Sequence, residues 1–332
     1  MTNLLRRPQT AEGPGPGATP APAPADQRFH WREYTVYIAF AVLFVIFAIT
    51  LSDDGFLSSN NLTNIIAQTA PISIMAVAVT FVIAAAQIDL SVGSVAGLTS
   101  VTTAMAVESW GGIPGVLVGV LTGVAVGAVN GTLVAYFGIP SFLVTLGMLG
   151  IAAGLAMWIT DSAPKPILDQ TYNDIFGSAE IAGVPILVLW TIVVAAIGHV
   201  ILRKRPFGRY VLATGGNEEA ARFSGIPTKR IVFTVMLASA MVAGLAGMLY
   251  AGRLQSGRFS WGTGDELSVI AAVVLGGTSL FGGRGSVIGA LVGSLLIGMI
   301  NNGMLILGLE FSQQQIVRGI IIILAVALAG RG

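Results

Sequence analysis

Apolar and polar positions alternate along this chain in long blocks. Apolar runs fall at roughly 34–51, 65–86, 92–107, 113–136, 140–159, 185–202, 231–251, 268–280, 286–307 and 314–330, with polar stretches between them. Most approach the twenty or so residues a helix needs to cross a hydrocarbon core about 30 Å thick. The pattern predicts an all-α polytopic membrane protein with about ten transmembrane helices, of which 268–280 is short for a crossing. Residues 1–33 are polar, and AEGPGPGATPAPAPADQ at 11–27 is too poor in large apolar side chains to build a core. The expected organisation is therefore a disordered tail over 1–33 and a membrane domain over 34–330.

Composition agrees with the pattern. Hydrophobic residues make up 54% of the 332 and charged residues only 10%, against about 25% charged in soluble domains. Glycine is used 43 times, nearly twice its usual share of about 7%. Gly115, Gly119, Gly123, Gly127 and Gly131 recur every fourth residue, which puts them on one helix face and predicts close contact with a neighbouring helix. GAVN at 127–130 and GMIN at 298–301 are alike, a faint sign of two related halves. There is no cysteine, and His30 and His199 are the two histidines, which excludes disulfides, thiol nucleophiles and a Cys/His metal site. A net charge of +1 gives no reason to expect nucleic-acid binding.

One long polar segment, RKRPFGRYVLATGGNEEAARFSGIPTKR at 203–230, holds seven of the seventeen Lys and Arg residues. Placing it and both termini in the cytoplasm leaves thirteen basic residues inside and four outside (Lys165, Arg253, Arg258 and Arg318), as the positive-inside rule requires. Within it, Asn217 is a good N-cap, Glu218 and Glu219 fill a first turn, Ala220 and Ala221 continue, and Gly225 with Pro227 supplies a stop. A helix of about two turns is unstable alone in water. It must lean on the rest of the chain or on a partner.

Asp89, in AAAQIDLSVGS at 84–94, is an acid close to the middle of apolar sequence, where a carboxylate costs about 2.5 to 3.5 kcal/mol. It reads either as part of a pathway or gate, or as the cap of a helix starting at Leu90 or Ser91 in a tight cytoplasmic turn. GGTSLFGGRGS at 276–286 lacks the Lys-Ser/Thr pair of a phosphate loop and reads as a glycine-rich turn. The loops 161–185 and 252–267 mix charges with Tyr172, Phe176, Phe259 and Trp261, as interfacial anchors or a docking surface would. Arg318 can snorkel or pair with Glu310. No catalytic motif is present.

QIDLSVGS at 87–94, IPSFLVTLGM at 139–148, ATGGNEEAARFSGI at 213–226 and DELSVIAAVVLGGTSLFGGRGS at 265–286 resemble, in this order, the permeases of bacterial ABC sugar importers of the ribose, xylose, galactose and autoinducer-2 type. The resemblance runs from about Tyr34 to Ala329. It implies a type II ABC importer fold in the inner membrane, dimerisation with a second permease copy, drive from a cytoplasmic ABC ATPase that binds the ATP and Mg, and delivery of sugar by an extracytoplasmic binding protein. The permease itself is then no enzyme and binds no cofactor. The segment matching Gly215, Asn217, Glu218, Glu219, Ala220, Ala221 and Gly225 would be the helix that couples to the ATPase. Two positions depart from the family pattern: Gln87 stands where Gly is usual, and Ser268-Val269 where Asp-Ala is usual.

Polar positions in otherwise apolar spans, Gln87, Asp89, Ser141, Thr145 and Asn301, are the candidate lining of a substrate pathway. Two other readings stay open. One is an ABC permease for branched-chain amino acids or nucleosides. The other is an ion-coupled secondary transporter using Asp89.

Overall fold

A computed structural model describes residues 35–329, so the tail expected over 1–33 lies outside the described residues. Each of the ten apolar runs contains a helix: α1 (Thr35–Thr50), α2 (Ser59–Ala84), α3 (Val92–Trp110), α4 (Gly112–Ala135), α5 (Ser141–Thr160), α7 (Ile186–Lys204), α10 (Thr228–Arg253), α11 (Asp265–Leu275), α12 (Val287–Ile306) and α13 (Phe311–Ala329). Three shorter helices lie between spans: α6 (Gln170–Asn173), which runs into a π-helical turn at Asp174–Ser178, α8 (Pro206–Gly216) and α9 (Glu218–Phe223). Six helices, α2, α4, α5, α7, α10 and α12, are long and apolar enough to cross a membrane. With eleven residues, α11 is about 16 Å long, half of what a crossing takes.

At the centre is α2, in which every residue from Thr69 to Ala84 is buried. A helix apolar all round belongs inside a bundle. α12 lies antiparallel along it: Gly285 faces Thr80 and Ala84, Gly298 faces Thr69, the Ser73 and Ser294 hydroxyls are 2.7 Å apart, and Asn61 and Asn302 exchange amide hydrogen bonds of 3.1 and 2.8 Å.

The fourth-residue glycines do what their spacing predicts. Gly123, Gly127 and Gly131 of α4 meet Ala240, Leu237 and Phe233 of α10, while Gly115 and Gly119 meet Val107 and Thr103 of α3. With no side chain in the way the helices approach backbone to backbone, and dispersion replaces the hydrophobic drive that lipid does not supply. Gly247 against Ala96, Gly276 against Gly289 and Gly293 against Ala272 repeat the device between α10 and α3 and between α11 and α12.

At the end of α10 away from α9, two-residue strands β1 (Lys165–Pro166) and β4 (Ser256–Gly257) pair antiparallel, and β2 (Glu180–Ile181) pairs with β3 (Val184–Pro185). Here Tyr172 and Phe176 are buried, which fits neither the interfacial-anchor nor the docking-surface reading of these two side chains. Their rings stack 4.9 Å apart, and Phe176 stacks in turn on Trp190 at 5.7 Å. The Tyr172 hydroxyl donates to the Met248 carbonyl, pinning this loop to α10.

Candidate functional site

Two regions of irregular backbone, one inside the bundle and one at its α9 end, meet at a glycine joint. The first is the break between α2 and α3. After Ala84 the chain turns at Ala86, a non-glycine residue at φ +58°, a left-handed conformation that costs an L-residue about 1–2 kcal/mol. Residues 87–91 then run without helix until α3 begins at Val92. Away from water such backbone must find partners in the protein. The Ile88 N–H donates to Ser141 Oγ at 3.0 Å, and the Ile88 carbonyl accepts from Thr145 Oγ1 at 3.3 Å. The Ser141 hydroxyl thus satisfies the Ile88 N–H, while the single Thr145 hydroxyl hydrogen is shared between the Ile88 carbonyl and, at 2.9 Å, the Ser141 carbonyl one turn back on α5.

Asp89 is fully buried. Its Oδ1 accepts from the Ser91 N–H at 2.9 Å and the Ser91 hydroxyl at 2.6 Å, and its Oδ2 from the Ser239 hydroxyl of α10 at 2.8 Å. The Asn130 amide of α4 donates to Ser91 Oγ at 3.1 Å. The helix begins at Val92 with Ser91 as its N-cap residue, one or two residues later than the cap reading placed it, and the carboxyl group ties the break to α10 from inside.

The structure therefore brings Gln87, Asp89, Ser141 and Thr145 together. Asn301 lies elsewhere. It is beside Asn302, which pairs with Asn61, some twenty-three residues or about 35 Å along α2 from Ala84. There Arg318 Nε donates to Asn301 Oδ1 at 3.0 Å and Nη1 to Gln315 Oε1 at 3.4 Å, so of the two options for Arg318 it does not take the pairing with Glu310. The sequence reading missed Asn130 and Ser239. Asn130 is a lone amide in an apolar run, the same signal that selected Asn301; a serine in a span, such as Ser239, carries no signal of its own.

The second region is α8 and α9. Asn217 caps α9, its Oδ1 accepting from the Ala220 N–H at 2.9 Å. Gly225 at φ +82° closes it, with the Ile226 N–H bonded back to the Ala221 carbonyl at 3.0 Å. Ala221 is buried, while Glu218, Glu219, Ala220 and Arg222 are exposed. Phe223 is 81% exposed, with the Arg222 guanidinium 5.9 Å from its ring centre.

Gly215 is not on α9. It sits buried in the last turn of α8, against the Ala84 carbonyl of α2, where a Cβ has no room. Gly282, in the glycine-rich turn, faces the Gly215 carbonyl in the same way, and the Gly283 N–H donates to the Ala84 carbonyl at 3.0 Å. The backbones of α2, α8 and the α11–α12 turn thus meet three residues before α9 and five before Asp89.

Residues 61–326 match the family model described as branched-chain amino acid transport system / permease component. The chain belongs to this permease family. The match runs from α2 into α13 and takes in every residue of both regions, leaving α1 outside. The permease is 39% identical to the probable ABC transporter permease protein YphD of Escherichia coli K12, over 90% of this chain and 89% of that one. It is 38% identical to the ribose import permease protein RbsC of Bacillus subtilis, over 87% and 91%. With the D-allose transport system permease protein AlsC of E. coli K12 it shares 35% identity, over 90% and 91%. No solved structure matches the chain.

Proposed function

We propose that this permease is the membrane-spanning subunit of an ATP-driven importer for a monosaccharide or similar small hydroxylated molecule. It would work with a cytoplasmic ABC ATPase that holds the ATP and Mg, an extracytoplasmic sugar-binding protein and a second permease copy, embedded in the lipid of a bacterial inner membrane. In this reading all ten apolar helices belong to the membrane layer and both termini are cytoplasmic.

The observation that carries the proposal is α9. A six-residue helix, capped at both ends and anchored through Ala221, turns two carboxylates and a bare phenylalanine away from the bundle. Its neighbour α8 is locked by Gly215 to α2 and to the glycine-rich turn. Force applied at α9 passes through backbone contacts to the start of the α2–α3 break. The relatives named for ribose and D-allose favour sugar over the amino acids in the family description.

The test is purification of the tagged permease from its native membranes, with Glu218 and Glu219 as they are and both changed to Lys. Recovery of an ATPase subunit with the first and not the second is the expected result, together with sugar uptake that survives collapse of the ion gradient. A permease that purifies alone and transports on an ion gradient would replace this reading with the secondary-transporter one.

A further inference from the structure

The loops beyond α10 build a cavity that the coupling argument does not use. β1 and β4 pair Lys165 with Gly257 and Pro166 with Ser256, and the Ile167 N–H adds a 2.8 Å bond to the Gln255 carbonyl. From β4 the chain descends along α3 instead of leaving the bundle. Ser100 Oγ accepts from the Arg258 N–H at 3.2 Å, and its one hydrogen is shared between the Gly97 carbonyl at 2.8 Å and the Arg258 carbonyl at 3.0 Å. Below it, the Phe259 carbonyl lies against Gly97, and Gly262 against Gly93. Ser100 is ten residues, about 15 Å, before the end of α3 at Trp110. The segment is thus a fixed seam sunk below the rim of the bundle.

Against this seam opens a cavity of about 530 Å³ lined by Pro164, Pro166, Leu254, Ser256, Arg258 and Trp261. That is within the roughly 300–1,000 Å³ of small-molecule sites. The Trp261 indole is held from two directions: Nε1 donates to the Ser256 carbonyl at 2.8 Å, and the ring stacks on Tyr250 with centroids 6.5 Å apart. Tyr250 is fixed in turn by a 2.6 Å bond from its hydroxyl to Asp265, at the start of α11. The Arg258 guanidinium lies 5.4 Å from the indole centre and its side chain is exposed. A contact of this kind at an open site is weak and readily exchanged.

We infer that this cavity is a receiving subsite for a neutral monosaccharide, which stacks the C–H face of its ring on the Trp261 indole while Arg258 swings off the ring to donate hydrogen bonds to the sugar hydroxyls. A rigid aromatic plane suits one face of a pyranose or furanose, and the five N–H donors of a guanidinium suit its acceptors. No carboxylate lines the cavity to compete for them. The subsite rests on the importer reading, which puts this end of α10 outside, where sugar arrives. Its stacked partner Tyr250 reaches α11, which ends at the glycine-rich turn beside Gly215, so occupancy at the mouth abuts the same frame that α9 moves.

The experiment uses the full-length permease in lipid nanodiscs without its binding protein, titrated with D-ribose, D-allose, D-xylose and D-galactose and read by saturation-transfer NMR, alongside uptake by the assembled transporter in cells. Transfer to sugar ring protons that is lost in Trp261→Ala, kept in Trp261→Phe and weakened in Arg258→Gln is the expected result. Uptake should fall about tenfold in Trp261→Ala, with ATPase co-purification unchanged. Trp261→Phe keeps the aromatic plane and guards against a folding defect. Sugar uptake by the wild type with no transfer signal, and unaltered in all three variants, overturns the subsite and leaves the importer standing. Uptake that falls without any transfer signal makes this surface a docking contact for the binding protein and also overturns the subsite. Stronger transfer to D-galacturonate than to D-galactose, abolished in Arg258→Gln, overturns the assignment to neutral sugars. Absence of uptake of any sugar by the wild type rejects the importer reading itself.

Discussion

Ser239 of α10 donates a 2.8 Å hydrogen bond to Asp89, 150 positions earlier in the chain. Asp89 holds Ser91 with its other oxygen, and Ser91 accepts from Asn130 of α4. Three separate pieces of sequence therefore converge on one buried carboxylate. Its placement explains why an acid is retained in apolar surroundings: it supplies acceptors for hydroxyl and amide donors that would otherwise be buried without a partner.

Asp89→Asn and Asp89→Ala should differ in degree. The asparagine oxygen still accepts from Ser91, and Ser239 can turn to accept from the new amide, so the expected loss of stability is about 1–2 kcal/mol. Alanine strands the Ser91 and Ser239 donors together and should cost about 3 kcal/mol or more. Thermal unfolding of the purified variants measures both. Partial uptake by Asp89→Asn, unaffected by a protonophore, agrees with a structural carboxylate; complete loss of transport in a variant as stable as wild type would mark it as an ion site.

Ser141→Ala should free the half-buried Ile88 N–H at a cost of about 1 kcal/mol, and Thr145→Val, whose hydroxyl is shared with the Ser141 carbonyl, should cost less. Both act on one residue, so the double variant should lose less than the sum of the singles. Melting temperatures of the four proteins close the cycle. A strictly additive result would show that Ile88 is not their shared partner.

The helices were legible in the sequence because lipid enforces the pattern: an apolar run in a bilayer has few structural choices besides a helix. The α9 caps were legible for an equally local reason, since Asn217 and Gly225 act within a few residues of themselves. The α4 glycines announced a close neighbour but not that it would be α10, because spacing defines a face and not its partner. What stayed hidden depends on distant contacts. Nothing local tells that Tyr172 is buried, that Ser239 reaches Asp89, or that Asn301 serves Arg318. Gly215 is the instructive case. The family resemblance suggested a place for it on the coupling helix, whereas its lack of a side chain answers to a carbonyl 131 residues earlier.

Gly215→Ala and Gly225→Ala separate crowding from conformation. At Gly215 the added methyl meets the Ala84 carbonyl, a backbone atom that cannot step aside, so assembly or uptake should be lost. At Gly225 there is open space but φ is +82°, and the expected cost is the left-handed strain of about 1–2 kcal/mol. Yield of monodisperse protein and uptake rate distinguish them. Equal tolerance of the two substitutions would mean that α8 and α2 are not in contact as described.

Asn217→Ala tests whether α9 must be preformed to engage its partner. The side chain satisfies one of the free N–H groups at the start of a helix of only six residues, and losing such a cap costs about 1 kcal/mol. With so few turns to share the cost, α9 should fray from its first turn, where Glu218 and Glu219 sit. The rest of the permease should melt as before, because α9 contributes only Ala221 to the core. The expected signature is a several-fold weaker hold on the ATPase subunit with an unchanged melting temperature. Asn217→Asp, which keeps the acceptor and adds a charge favourable at a helix N-terminus, should restore the hold. If Asn217→Ala binds the ATPase as tightly as wild type, α9 folds on its partner, and capping in the free permease does not set the affinity.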